Sequence, residues 1–270
     1  MITKEKTQFL DDLGGKEREI IIPQSTNLDF LINHWKNYRV DHKDIHKYLY
    51  EDTFEPSLNN IDFSNEDLNN FIYTLSTIDI GSNLEVVGTY TGYLLRYWYE
   101  KQRDNNKNTD FYINGHGLKF NNLFQETKYA GNVIVDNFKG QHIFLNFAKE
   151  GKAGNVVLMN CSGMANGQLI GNEYSKVRSV IALNNCGMQV AAACQNIDYY
   201  IAINNKADYT GGNCANDGDI NLMILSENIG DNIAINLGKN QGEVHSVFMI
   251  NNDLLSTGIN IGHWVGKIKN

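Results

Sequence analysis

The sequence predicts a mainly β protein, in which a helical region at residues 1–108 precedes a single-stranded parallel β-helix at residues 109–270. Three observations support this prediction. Apolar residues with helical spacing occur in the first half of the chain. Nineteen of the 24 glycines follow residue 110. Short apolar segments then recur at a nearly constant interval, which predicts a solenoid of about seven coils with about 23 residues each.

Four segments of the N-terminal region have helical spacing. Residues 28–37 and 42–50 each place their apolar side chains on one side of a helix. A third helix is expected to begin after Ser64, because its hydroxyl can accept a backbone N–H while Asp67, three residues later, reaches back in a capping box. The polar residues 101–110 predict a linker between the helical region and the repeat.

The fourth helical segment, residues 84–101, contains Gly88 and Gly92 four positions apart. Each interior glycine costs a helix about 1 kcal/mol relative to alanine. We therefore expect a packing contact on this side, where the missing side chains let another backbone approach closely.

The second half contains six similar segments rich in valine and isoleucine, each closed by asparagine or serine. The closing residues are 20 to 25 positions apart, and they are Asn137, Asn160, Asn184, Asn204, Ser226 and Asn251. A segment beginning at Phe111 starts the series. β-Branched residues and a lack of helical pattern between the segments favour a parallel β-helix over a leucine-rich repeat. Weaker apolar runs, such as residues 141–147 and 231–238, suggest further strands in each coil.

Residues 161–172, CSGMANGQLIGN, are interpreted as one corner of this repeat. Glycine and asparagine tolerate the positive φ that tight corners require. Asn160, Asn184 and Asn204 are therefore expected to be structural, with amides stacked from coil to coil. The dipeptide Asn-Cys recurs three times and predicts a ladder of small buried thiols rather than a reactive cysteine.

The same corner residues resemble those of the GXGXG-type β-helix, the fold of the C-terminal domain of the glutamate synthase large subunit and of one of the subunits of formylmethanofuran dehydrogenase. The similarity is clearest over residues 163–172 and looser at 128–140 and 184–190. The resemblance implies a right-handed coil. It also implies a packing and docking element without catalytic residues of its own.

Composition narrows the classes of function. The formal charge of −8 argues against a nucleic-acid binder or a surface drawn to anionic membranes. The chain has no apolar run of signal-peptide or membrane-span type, so a cytoplasmic protein is expected. The four cysteines form no C-x-x-C pair, which predicts reduced thiols and no structural zinc.

Two pairs of residues are weak candidates for chemistry. His42 and His46 have the i, i+4 spacing of metal ligands, but Lys43 stands where a zinc protease has its glutamate. Asp217 and Asp219 alternate as two residues on one strand face do, and β-helix polysaccharide hydrolases use such carboxylates as acid and base.

We therefore expect a non-enzymatic scaffold or protein-interaction module that docks another protein subunit on one solenoid face and needs no cofactor. The alternative is a carbohydrate-active enzyme, a hydrolase or lyase, that uses acidic residues on one face. In an enzyme, charged residues of adjacent coils should form a column, and the sequence indicates none. An Asp-Gly turn would equally explain Asp217. Gly115–Gly117 is expected to be a turn of the first coil.

Overall fold

The computed structural model describes residues 5–7, 18–20, 25–41, 58, 61–77, 84–238 and 241–254. Among these residues, the first elements with defined bounds are a short antiparallel pair and three helices. Their bounds are β1 (Glu5–Thr7), β2 (Arg18–Ile20), α1 (Thr26–Asp41), α2 (Asn65–Ser76) and α3 (Leu84–Asp104). The capping box predicted at Ser64 is confirmed, because its side chain and that of Asp67 exchange hydrogen bonds with each other's backbone.

Thirteen strands follow, and they divide between two parallel sheets. The strands of the larger sheet are β3 (Phe111–Asn114), β4 (Tyr129–Ala130), β5 (Val133–Asp136), β6 (Lys152–Met159), β8 (Lys176–Leu183), β10 (Ile197–Ile203), β12 (Ile220–Ser226) and β14 (Val247–Ile250). Those of the smaller sheet are β7 (Ser162–Gly163), β9 (Cys186–Val190), β11 (Lys206–Thr210), β13 (Ile229–Gly230) and β15 (Asp253–Leu254).

The chain is a parallel β-solenoid of about six turns, so the predicted fold class is confirmed. Seven strands of the larger sheet lie side by side in register, and each turn of the solenoid connects one of them to the next. In chain order they are β3, β5, β6, β8, β10, β12 and β14. Phe111 pairs with Val133, and the column continues through residues 156, 180, 200, 223 and 247. Successive partners are 20 to 24 residues apart.

Alternate residues of each strand point into the solenoid and form its core. The column that begins at Phe111 is buried through Met223, and the column that begins at Ile113 is buried through Leu225. Tyr200 is the largest side chain in the first column, and its hydroxyl donates to the carbonyl of Ala191 at 3.0 Å. A single coil cannot cover these side chains, so each coil depends on its neighbours for burial.

The third side of each coil is not a strand. Residues 142–150 alternate between negative and positive φ, and residues 165–171, 191–196, 211–215 and 232–238 contain similarly spaced positive values. The amides there bond alternately to the following and the preceding coil: His142 N–H donates to Met164 and Phe144 N–H to Leu123. The weaker runs at 141–147 and 231–238 form these turns, so the prediction of strands there is wrong.

Helices α2 and α3 cap the first coil. A Cβ atom on Gly88 would lie 2.1 Å from the carbonyl oxygen of Asn122, and one on Gly92 would lie 2.2 Å from that of Gln125. The predicted close approach at the two glycines is therefore confirmed. Tyr73 of α2 donates to the carbonyl of Asn114 at 3.0 Å, which satisfies part of the free edge of β3. A covered edge cannot pair with another chain.

Two boundaries differ from the prediction. Residues 101–104 belong to α3, which shortens the linker to 105–110. Ser226 pairs with Ile203, so the residue equivalent to Asn204 is Glu227. The corner at 115–117 is the predicted turn. The predicted helix at 42–50 lies outside the described residues, as does the chain beyond 254. None of the helices described is both long and apolar enough to cross a bilayer.

Candidate functional site: the outer face of the larger sheet

The outward-pointing residues of the seven in-register strands form a largely apolar surface, which we call the outer face. Because strand side chains alternate, the residue after each core position points outward. The first outward column is Tyr112, Ile134, Val157, Ile181, Ile201, Ile224 and Phe248. All seven residues are apolar, and at a strand spacing of about 4.8 Å the column is about 29 Å long.

A second outward column lies two residues further along each strand. It comprises Asn114, Asp136, Met159, Leu183, Ile203, Ser226 and Ile250. Tyr112 is 48% exposed, Phe248 is 56% exposed and Ile250 is 49% exposed. The central members are partly shielded by their neighbours in the column. Water therefore contacts a continuous apolar strip, which in soluble proteins is typical of a binding surface.

An asparagine ladder borders this strip. Asn184 donates its side-chain amide to Asn160 at 3.2 Å, and Asn204 donates to Asn184 at 2.9 Å. All three have φ near +54°, a conformation that asparagine accepts more readily than most residues. The ladder continues to Asp136, whose carboxylate accepts from Asn160 at 2.8 Å. The predicted stacking of these corner amides from coil to coil is confirmed.

A second ladder, one residue further on, was not predicted; its first three members are buried and its last is partly buried. Its members are Asn185, Asn205, Asn228 and Asn252. Each side-chain oxygen accepts the backbone N–H of the equivalent residue in the preceding coil, as Asn205 does from Asn185 at 2.9 Å. The doubled Asn-Asn at 184–185 and 204–205 was the signal that could have revealed it. Fully paired buried amides make the backbone beside the outer face rigid.

The cysteines do not form the expected ladder. Cys161 is buried at the position that asparagine occupies in the later coils, and its sulfur lies 3.5 Å from the backbone nitrogen of Phe138. Burial raises the pKa of Cys161 to about 12, so its thiol is not nucleophilic at neutral pH. Cys194 and Cys214 are buried elsewhere, and burial also raises the pKa of Cys194. Cys186 is exposed, which corrects the expectation that it is buried.

Charged residues of adjacent coils meet where the strands of the larger sheet begin, which the sequence did not indicate. Lys152 pairs in register with Lys176. Beyond them along the axis, Asp198 and Asp219 line a depression of about 250 Å³ together with Lys176. The sequence did not reveal this, because residues some twenty positions apart meet only once the register is known.

The two aspartates predicted as a pair have different surroundings. Both are exposed, and neither belongs to a strand, because β12 begins at Ile220. Asp219 accepts the backbone N–H of Glu243 at 2.9 Å, so it has a structural role. Asp217 lies in the preceding bend and does not line the depression.

The metal-site candidates His42 and His46 lie outside the described residues. Within the described ranges, no three His, Cys, Asp or Glu side chains converge as metal ligands would. Comparison of the chain with protein-family models, with curated proteins and with solved structures finds no match. The resemblance to the GXGXG-type β-helix therefore stays a prediction.

Proposed function

We propose that the protein is a non-enzymatic scaffold that docks a partner protein on the outer face. The observation that carries this proposal is the column from Tyr112 to Phe248, in which seven strands in succession present an apolar side chain to solvent. A folding chain gains nothing from apolar residues on its outside, whereas a partner that covers them gains about 25 cal/mol per Å² of apolar surface buried.

The polar border of the face is consistent with this role. The amides of Asn160, Asn184 and Asn204 run beside the apolar strip, and Asn184 and Asn204 are exposed. Protein interfaces commonly have an apolar centre and a polar rim that supplies hydrogen bonds. The ladders also fix the backbone, so a partner would meet a surface that is already ordered and would lose little conformational entropy on binding.

The test compares a double variant of the outer face with a matched control. Ile201→Lys with Ile224→Lys places two charges at the centre of the strip without touching the core. Met188→Lys places one on the smaller sheet, where Met188 is 44% exposed. We expect cross-linking in the native cell, followed by direct binding of the purified partner, to succeed with wild type and Met188→Lys and to fail with the double variant. A partner retained by the double variant would contradict the proposal.

A carbohydrate-active enzyme is the second candidate, because Asp198 and Asp219 line one depression. Glycosidases use two carboxylates, one as acid and one as base or nucleophile. Asp219→Asn keeps the oxygen that accepts the Glu243 N–H but removes the charge. This candidate requires measurable cleavage of an acidic polysaccharide by wild type and its loss in Asp219→Asn. Cleavage that persists in both Asp219→Asn and Asp198→Asn would exclude these carboxylates.

A further inference from the structure

Three cationic side chains gather at one corner of the solenoid, where strands β6 and β8 of the larger sheet begin. Lys152 of β6 and Lys176 of β8 are register partners, so their Cα atoms are about 4.8 Å apart. Arg178 follows Lys176 by two residues on β8, and alternation places both side chains on the same side of the strand. All three residues are exposed.

The three cations line a depression of about 370 Å³ that lies beside α3. Gly131 and Gly154 of adjacent coils also line it, and since they have no side chains they leave room between the cations. Tyr99 of α3 and Asn132 contribute a ring and an amide to its wall. The depression therefore combines positive charge, hydrogen-bond donors and open volume.

In the described residues no ion pair neutralises the charge at this corner, although the register of β8 with β10 places Asp198 opposite Arg178. Like charges directly opposite each other on neighbouring strands destabilise a sheet. Within the part of the chain that the structure describes, none of the ion pairs within 4 Å involves Lys152, Lys176 or Arg178. The three cations cluster here although the chain as a whole has a formal charge of −8. A bound anion would relieve the repulsion between Lys152 and Lys176.

The neighbouring depression limits the size of such an anion. Lys176 forms part of both depressions, and beyond it Asp198 and Asp219 line the second one. A polyanion that continued along the solenoid axis would meet these carboxylates within one or two coils, about 5 to 10 Å further on. A compact anion would contact the cations alone.

We propose that this depression binds a small oxyanion, the phosphate or carboxylate group of a small molecule. Arg178 would donate two parallel hydrogen bonds, which the planar guanidinium does better than lysine, and Lys152 and Lys176 would supply point charges. The proposal is independent of docking on the outer face, because it concerns other residues.

The experiment titrates the full chain with inorganic phosphate and separately with galacturonate, using calorimetry and thermal unfolding, with sodium chloride at equal ionic strength as the reference. We expect at least one anion to bind and to raise the Tm beyond the effect of chloride. Binding of phosphate alone identifies phosphate as the recognised group, and binding of galacturonate alone identifies carboxylate.

Lys176→Ala with Arg178→Ala should weaken that binding at least tenfold. It should not lower the Tm in chloride, because it removes like charges rather than contacts. Lys206→Ala on the smaller sheet, also exposed, is the matched control and should bind as wild type does. Absence of binding to wild type, or equal affinity in the double variant, would overturn the proposal.

Discussion

Replacing Asn205 with alanine is expected to destabilise the solenoid far more than the same replacement of Asn204, its neighbour in sequence. Asn205 is fully buried in the inner ladder, and Asn204 is exposed in the outer one. The two residues are of the same type and differ only in environment. Comparing the two alanine variants therefore isolates the contribution of buried amide stacking.

The magnitude follows from the contacts of the Asn205 side chain. Its amide donates to the carbonyl of Ala182 at 3.0 Å and to Asn228 at 2.9 Å. Its oxygen accepts from the backbone and side-chain nitrogens of Asn185 at 2.9 and 3.0 Å. Alanine would leave two buried donors and a carbonyl without these partners, at about 1–3 kcal/mol each before relaxation, so we expect a loss of about 4 kcal/mol.

Asn204 makes one donated side-chain bond in contact with water, to Asn184 at 2.9 Å, and has φ +53°. Its loss should cost about 1 kcal/mol, from one exposed hydrogen bond and the poorer tolerance of alanine for left-handed backbone. Urea unfolding followed by circular dichroism measures both values. Equal losses in the two variants would show that the inner ladder does not hold the coils together.

Three further predictions concern other parts of the molecule. Only Cys186 of the four thiols should react rapidly with Ellman's reagent in the folded protein, and Cys186→Ser should abolish that reaction. Ala193 has φ +54°, a conformation that glycine adopts more easily than alanine. Ala193→Gly should therefore raise the free energy of unfolding by about 0.5 kcal/mol, as measured by urea unfolding. Burial lowers the pKa of His34 below 6.5, because it disfavours the imidazolium ion. The free energy of unfolding should therefore be highest above pH 6.5 and should decrease as the pH drops below that value. His34→Gln should flatten this pH dependence.

The sequence predicted the features that depend on local pattern. The strand segments repeat because each coil must present apolar residues to the same core, and that requirement is visible in the spacing from Asn137 to Asn204. The capping box at Ser64 and the contact of Gly88 and Gly92 were also predictable, since each follows from the chemistry of a few adjacent residues.

Left-handed turns formed by residues other than glycine or asparagine were not predictable. Phe144 and Ala148 have φ near +60°, although neither residue favours that conformation. Hydrogen bonds to the preceding coil support it: Phe144 N–H donates to Leu123 and Ala148 N–H donates to Thr127. Local propensity contains no information about these partners, which are about twenty residues away.

The sequence by itself determined that the chain repeats, where its strands fall and which corners asparagine occupies, because periodicity and backbone preference are properties of short segments. Only the tertiary structure decided which residues stand beside one another. The apolar column of the outer face and the pairing of Lys152 with Lys176 both depend on register. Coil lengths vary from 20 to 24 residues, so register follows from how the coils stack and cannot be counted along the chain.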